Sequence, residues 1–266
     1  MRMRSQYENQ NISDRTFQEV LIRHAKYKEY SYEESRVSHV PLLQSNPPLS
    51  FDVVLLGDSM IERFKTTAQY KDFWHWPSKN IIHALNTSSS PSKSPRLHGL
   101  FNAGVSDDGY ENIIYRLVGD GLHLQGLKDI LKDRNIKLWV IHAGTNNLNW
   151  ALGLQERNVM DLRLILQTLF RISKPKTNIL LTGLFYRYDI EDDVIDRANL
   201  RLRCLVELMN SNIPGKRISF LPAPTTIETD SHYDDHIHLN EEGYRLWINE
   251  LWPRMCEILD AIGDEA

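Results

Sequence analysis

Five short apolar runs alternate along this chain with segments of helical periodicity, and that alternation narrows the possible folds more than any other feature. The runs are Phe51 to Leu56, Gly99 to Asn102, Leu138 to Ala143, Asn178 to Gly183 and Ile218 to Leu221. Each is apolar or β-branched and is closed by Gly, Asn or Pro, as short buried strands are. Between them Leu162, Ile165, Leu166, Leu169 and Phe170 recur at steps of three and four. Leu200, Leu202, Leu205, Val206 and Met209 do the same, with Leu202 widening that face. A last helix is predicted from about Asn240, its stripe made by Tyr244, Trp247, Ile248, Leu251 and Ile258. Strands joined through helices predict an α/β fold, a parallel sheet covered on both faces with right-handed crossovers. Ligands then gather beyond the carboxyl ends of the strands.

The length, 266 residues, suits one large domain over residues 51–266. Residues 1–50 form an N-terminal extension expected to pack on that core. The extension carries a predicted helix from Asp14 to about Tyr30, with Phe17, Val20, Leu21 and His24 on one face. The stretch Thr87 to Pro95 is poor in apolar residues and reads as an exposed loop. A net charge of −4 argues against a nucleic-acid or anionic-membrane surface, which rests on clustered Lys and Arg. No run of about 18 apolar residues is present to span a bilayer. Met1 to Glu8 lead into polar sequence, unlike a signal peptide, so a cytoplasmic location is expected. Cys204 and Cys256 lack metal-site spacing and read as reduced core thiols, with a structural disulfide between them as the alternative.

Four segments carry candidate chemistry. Gly57-Asp58-Ser59-Met60 follows the first strand and places a serine on a tight turn at the mouth of a helix. There a hydroxyl is exposed to substrate and served by backbone N–H groups, although Asp58 and Ser59 also suit a plain helix cap. Asp235-His236-Ile237-His238-Leu239-Asn240 offers a base with an orienting carboxylate. His232, Asp234 and His236 compete with Asp235 and His238 there, and spacing alone does not choose among them. A metal site made of His232, His236, His238 and Asp235 has no remote ligand cluster to complete it. Ala143-Gly144-Thr145-Asn146-Asn147 supplies an amide donor in Asn146, with Asn147 equally suited to form the turn. The segment Asn102 to Gly109 follows the second strand and offers a backbone N–H to the same place. Its Asp107 or Asp108 also suits a cap for the helix containing Ile113, Ile114 and Leu117.

These segments, in this order, resemble the SGNH/GDSL hydrolases over roughly residues 50 to 262. Gly57-Asp58-Ser59 is similar to the first family block, Gly144-Thr145-Asn146-Asn147 to the third, and Asp235 with His238 to the fifth. Within the superfamily the chain looks most like the catalytic subunits of intracellular platelet-activating-factor acetylhydrolase Ib. The resemblance implies a flavodoxin-like three-layer α/β/α sandwich with a five-stranded parallel sheet. It implies a serine esterase of short-chain acyl esters, acetyl foremost, working without metal or other cofactor. Carbohydrate deacetylation, lysophospholipid or thioester cleavage, or a weakly active partner-binding subunit are the alternatives on this fold. By the same resemblance Ser59 is the nucleophile, His238 the base, Asp235 its orienter, and Ser59, Asp107 and Asn146 the oxyanion donors. A small acyl ester is the expected partner, and a homodimer is compatible with the chain. In one respect the chain departs from the family, whose second block usually carries glycine five residues after its asparagine. Counting from Asn102 reaches Asp107, which brings a Cβ and a charge beside the developing oxyanion. With Gly104 as donor the loop would have to bend differently.

Overall fold

The computed structural model describes residues 13–67, 99–212, 215 and 217–264. Five strands form one sheet: β1 (Val53–Gly57), β2 (Leu100–Gly104), β3 (Leu138–His142), β4 (Asn178–Thr182) and β5 (Ile218–Leu221). Their order is β2-β1-β3-β4-β5 and every pair is parallel. All five predicted runs are strands; the second starts one residue later and continues to Gly104. From β1 the chain steps to one side for β2 and then across to the other side for β3. The order therefore reverses at β1, and in open α/β sheets such a reversal leaves a crevice beyond the strand ends. Gly57 ends β1 there, in register with Gly104 on one side and His142 on the other.

Alternation along each strand divides the core in two. Val54, Leu56, Phe101, Trp139, Ile141, Ile179 and Leu181 face a layer of helices, all of them buried. That layer contains α1 (Asp14–His24), α5 (Tyr110–Val118), α6 (Leu127–Leu131), α7 (Glu156–Ile172) and α8 (Asp192–Asn210), following α2 (Glu29–Glu34), α3 (Val40–Leu43) and α4 (Ser59–Glu62) in number. Val53, Leu55, Leu138, Val140 and Leu180 face the other way, against Phe64 and the long α9 (Glu241–Asp264). Tyr244, Trp247, Leu251 and Met255 of α9 complete that side. Near-continuous apolar strands follow from burial on both faces.

Some sequence expectations are corrected. The first helix stops at His24 and does not reach Tyr30, because Ala25 turns extended and Lys26 donates its N–H to Glu111 O at 3.0 Å. On α8 Leu200 is 58% exposed, and the packed face is carried by Leu202, Leu205, Val206 and Met209 together with Val194, Ile195 and Ala198. Gly109 holds the N-cap of α5, its N–H bonded to Asn112 Oδ1 at 2.9 Å, so neither Asp107 nor Asp108 caps that helix. The expected loop from Thr87 to Pro95 lies outside the described residues. Cys204 is an exposed free thiol. No described helix is long and apolar enough to cross a membrane.

Arg116 of α5 is fully buried. It donates to Asp108 Oδ2 at 2.7 Å, to Ala103 O at 3.0 Å and to Gly57 O at 3.3 Å, joining the ends of β1 and β2. Removing one partner of such a pair strands a buried charge. Arg116→Met should therefore lose about 3–5 kcal/mol in urea denaturation; a loss below about 1 kcal/mol would be that of an ordinary surface change.

Candidate active site

The turn after β1 is shaped by close approach. A Cβ on Gly57 would lie 1.9 Å from His142 O, so only glycine lets these strand ends meet. Asp58 leaves the strand in extended geometry and caps α4, its Oδ1 accepting the Met60 N–H at 3.0 Å. Ser59 begins that single turn of helix and is 4% exposed. Capping by Asp58 and presentation of Ser59 thus occur together. Asn102 Nδ2 donates to Ile61 O and Tyr244 Oη to Met60 O, both at 2.8 Å, which ties the turn to β2 and α9. With four residues α4 contributes little dipole; the N–H groups of Met60, Ile61 and Glu62 all bond to Asp58, which leaves the Ser59 N–H as the local donor.

The segment from Asp234 to His238 curls back on itself. Asp234 N donates to His238 O at 2.8 Å, and Tyr233 pairs with Leu239 in an antiparallel bridge. Asp235 Oδ1 accepts the N–H groups of Ile237 (2.8 Å) and His238 (2.7 Å), an aspartate side-chain turn. Its other oxygen lies 2.7 Å from His238 Nδ1, and His238 Nε2 lies 2.9 Å from Ser59 Oγ. Partial burial of Asp235 disfavours its charge. The hydrogen bonds from the His238 ring and the two N–H groups outweigh that and hold its carboxyl well below the usual range. Arg63 Nη2 stands 4.0 Å away on the same side. An ionised Asp235 only accepts, so Nδ1 carries the ring proton and Nε2 turns its lone pair on the Ser59 hydroxyl. His232 is spent on a turn, its Nδ1 accepting from Glu228 N at 2.9 Å, and His236 is exposed. Among the described residues no three His, Cys, Asp or Glu side chains form a metal-holding cluster.

Two further loops carry candidate donors. Gly144 adopts φ +115°, and a Cβ there would meet Tyr110 Oη at 2.2 Å. Asn147 is committed to α5, accepting from Tyr110 N and donating to Glu111 Oε2, both at 2.9 Å. Asn146 is exposed and gives one amide hydrogen to Asp108 O at 3.0 Å, which orients the side chain and leaves its second hydrogen. Gly104 N is bonded to Asn102 Oδ1 at 2.8 Å, so its N–H is not the spare one. Among the described residues neither Ser59 N–H nor Asp107 N–H has an acceptor. Asp107 sits at φ +62°, a left-handed conformation that glycine adopts freely and that Asp tolerates better than most other residues. Its side chain is exposed and its carboxylate is paired with Lys28.

Sequence reasoning passed over Lys28, Arg63, Asp108 as an ion-pair partner, and Arg116. None belongs to a motif, and only Asp235 with His238 had a local spacing to read. His142 is also new. It is buried, bonded through Nδ1 to Thr182 Oγ1 at 2.7 Å and stacked on Phe185, and burial lowers its pKa to about 3, so it is a neutral core residue.

A doubly wound sheet with Ser59 at its reversal point is the SGNH hydrolase fold, an α/β architecture also found in solved esterase structures. One is a family two carbohydrate esterase from Clostridium thermocellum, at 14% identity and TM-score 0.58 over 81% of this chain and 66% of that one. A carbohydrate esterase family 3 protein from Talaromyces cellulolyticus is 15% identical, with TM-score 0.52 over 79% and 98%. An acetyl-xylooligosaccharide esterase from Geobacillus Stearmophilus is 13% identical, with TM-score 0.51 over 76% and 93%. By sequence, no family model and no curated protein matches the chain. Identities this low speak for the fold alone.

Burial pushes the Asp58 carboxyl up to about 7, against the Met60 N–H that favours ionisation and with the Asp108 carboxylate adding to the rise. The ordinary value is 3.8. As pH climbs from about 4 to 7 the unfolded chain releases this proton while the folded chain keeps it, so stability declines across that window and levels off above it. Asp58→Asn should flatten that slope and be more stable than wild type at pH 8, by up to about 4 kcal/mol. Denaturation curves at stepped pH would contradict this if the two proteins ran parallel.

Proposed function

We propose that this chain is a serine esterase of short-chain acyl esters, acetyl esters foremost. The observation that carries the reading is the continuous line from Ser59 Oγ through His238 to Asp235, at 2.9 and 2.7 Å. Ser59 is a poor nucleophile unaided and needs a base in reach. In this reading Nε2 of His238 takes the hydroxyl proton as Oγ attacks the acyl carbonyl. The negative oxygen is received by the N–H groups of Ser59 and Asp107 and by the amide of Asn146, each such donor being worth about 2.7–4 kcal/mol in comparable sites. The protonated imidazole returns its proton to the departing alkoxide, leaving an acyl group on Ser59. Water, deprotonated by the same nitrogen, releases the acid, while Asp235 stays ionised and holds the ring. No step calls for a metal or other cofactor.

Carbohydrate O-deacetylation is the second reading, favoured because the similar solved structures include carbohydrate esterases. The likeness to platelet-activating-factor acetylhydrolase Ib favours a phospholipid acetyl ester instead. Both use the same machinery and differ in the leaving group.

Hydrolysis of p-nitrophenyl esters of graded acyl length, with Ser59→Ala as the blank, tests the reading. Acetate should be the best substrate, and Ser59→Ala and His238→Ala should each lose at least about a thousandfold in kcat. His236→Ala and His232→Ala should stay near wild type, and exhaustive chelation should leave the rate unchanged. An equal loss in His236→Ala would remove His238 from its role, and a chelation loss restored by zinc would point to metal chemistry.

A further inference from the structure

The loop that carries the Asp107 N–H is gripped by the N-terminal extension. Lys26 exchanges backbone and side-chain bonds with α5, donating to Glu111 O and accepting from Asn112 Nδ2, both at 3.0 Å. Ser31 Oγ donates to Asp108 Oδ1. Tyr30 Oη donates to Glu62 Oε1 at 3.1 Å, and the other oxygen of that carboxylate accepts from Ser106 N at 2.8 Å. Lys28 Nζ closes the set, donating to both the carbonyl oxygen and the carboxylate of Asp107.

We infer that Lys28 is a positioning residue for the oxyanion hole, making the N-terminal extension part of the active site. The inference rests on the esterase reading above. Asp107 holds a positive φ that glycine adopts freely and an L-residue adopts at a cost. One ammonium bonded to two oxygens of the same residue holds the peptide that follows Asp107 and its side chain, and so restrains the backbone angles that set where its N–H points. It also neutralises the carboxylate that this chain carries beside a developing negative charge. The Lys28–Asp107 pair thus does together what a glycine does alone. As a stabilising contact it is minor, since the Asp107 side chain is 77% exposed and exposed pairs contribute little. Its effect belongs to kcat.

The test compares wild type, Lys28→Met, Lys28→Arg, Asp107→Gly and the double variant Lys28→Met with Asp107→Gly, all as full chains on p-nitrophenyl acetate. Lys28→Met should lose roughly 10- to 100-fold in kcat with KM changed less than about twofold, as loss of a donor's alignment requires. Lys28→Arg should keep most of the rate. The double variant should recover to within about threefold of wild type, because glycine takes the positive φ unaided and leaves no charge to neutralise. Hydrogen exchange across residues 104–109 should quicken in Lys28→Met and stay unchanged across residues 138–147. Wild-type kcat in Lys28→Met, or a double variant as slow as Lys28→Met, overturns the inference. If the wild-type chain hydrolyses no ester, the esterase reading falls and exchange decides: unchanged protection at 104–109 overturns the clamp, and faster exchange there sustains it.

Discussion

Arg116 reaches from α5 into the space beyond the strand ends, and the arrangement of the candidate site depends on what its guanidinium holds there. It binds the carbonyl oxygens of Gly57 and Ala103, the final turns of β1 and β2, and pairs with Asp108 with no exposed surface on either side chain. Gly57 leads directly into Asp58 and Ser59. The Asp108 carbonyl in turn orients the amide of Asn146, and its carboxylate receives Ser31. Three separate segments are therefore registered against one buried charge pair. A guanidinium suits this task because its planar fork spreads several donors in fixed directions.

Around that anchor the sheet does the coarse positioning. Reversal of strand order at β1 leaves a crevice where loops from β1, β2 and β3 come together without crossing. Finer positioning comes from side chains that bond to the backbone: Asp58 on Met60, Asn102 on Ile61 and Gly104, Asp235 on Ile237 and His238. Each fixes a loop over two or three residues, and this suits chemistry that tolerates misplacement of well under an ångström. His238 arrives from the far end of the chain. Tyr244 brings α9 against the Met60 carbonyl, so the element that follows His238 is fastened to the turn that presents Ser59.

Much of this was legible in the sequence, for identifiable reasons. Strands buried on both faces must be apolar throughout, so their positions could be read from residues 51 to 221 with errors of one or two residues. Gly57 and Gly144 stood out because close approach and positive φ leave few other choices. The helix break after His24 was invisible, since Ala25 to Lys28 carry no breaker and are drawn into extended form by a tertiary bond to Glu111. Nor could spacing decide between His236 and His238, because the decision lies in the reversal of chain direction between Tyr233 and Leu239. Asp107 shows the same limit. An aspartate ahead of a helix reads as a cap, and only the backbone reveals that it holds a positive φ with Lys28 beside it. Arg116 on an amphipathic helix reads as a surface residue until the ends of β1 and β2 are seen around it.

The account stands on Ser59 being an activated hydroxyl and not merely a helix-capping one. Labelling of the intact protein with a fluorophosphonate, followed by peptide mass spectrometry, addresses that most directly. An activated serine attacks phosphorus as it attacks an acyl carbon, so a single stoichiometric adduct is expected on Ser59, and it should be lost when His238 is replaced by alanine. No adduct on Ser59 in the native protein, or one that forms equally fast without His238, would contradict the account.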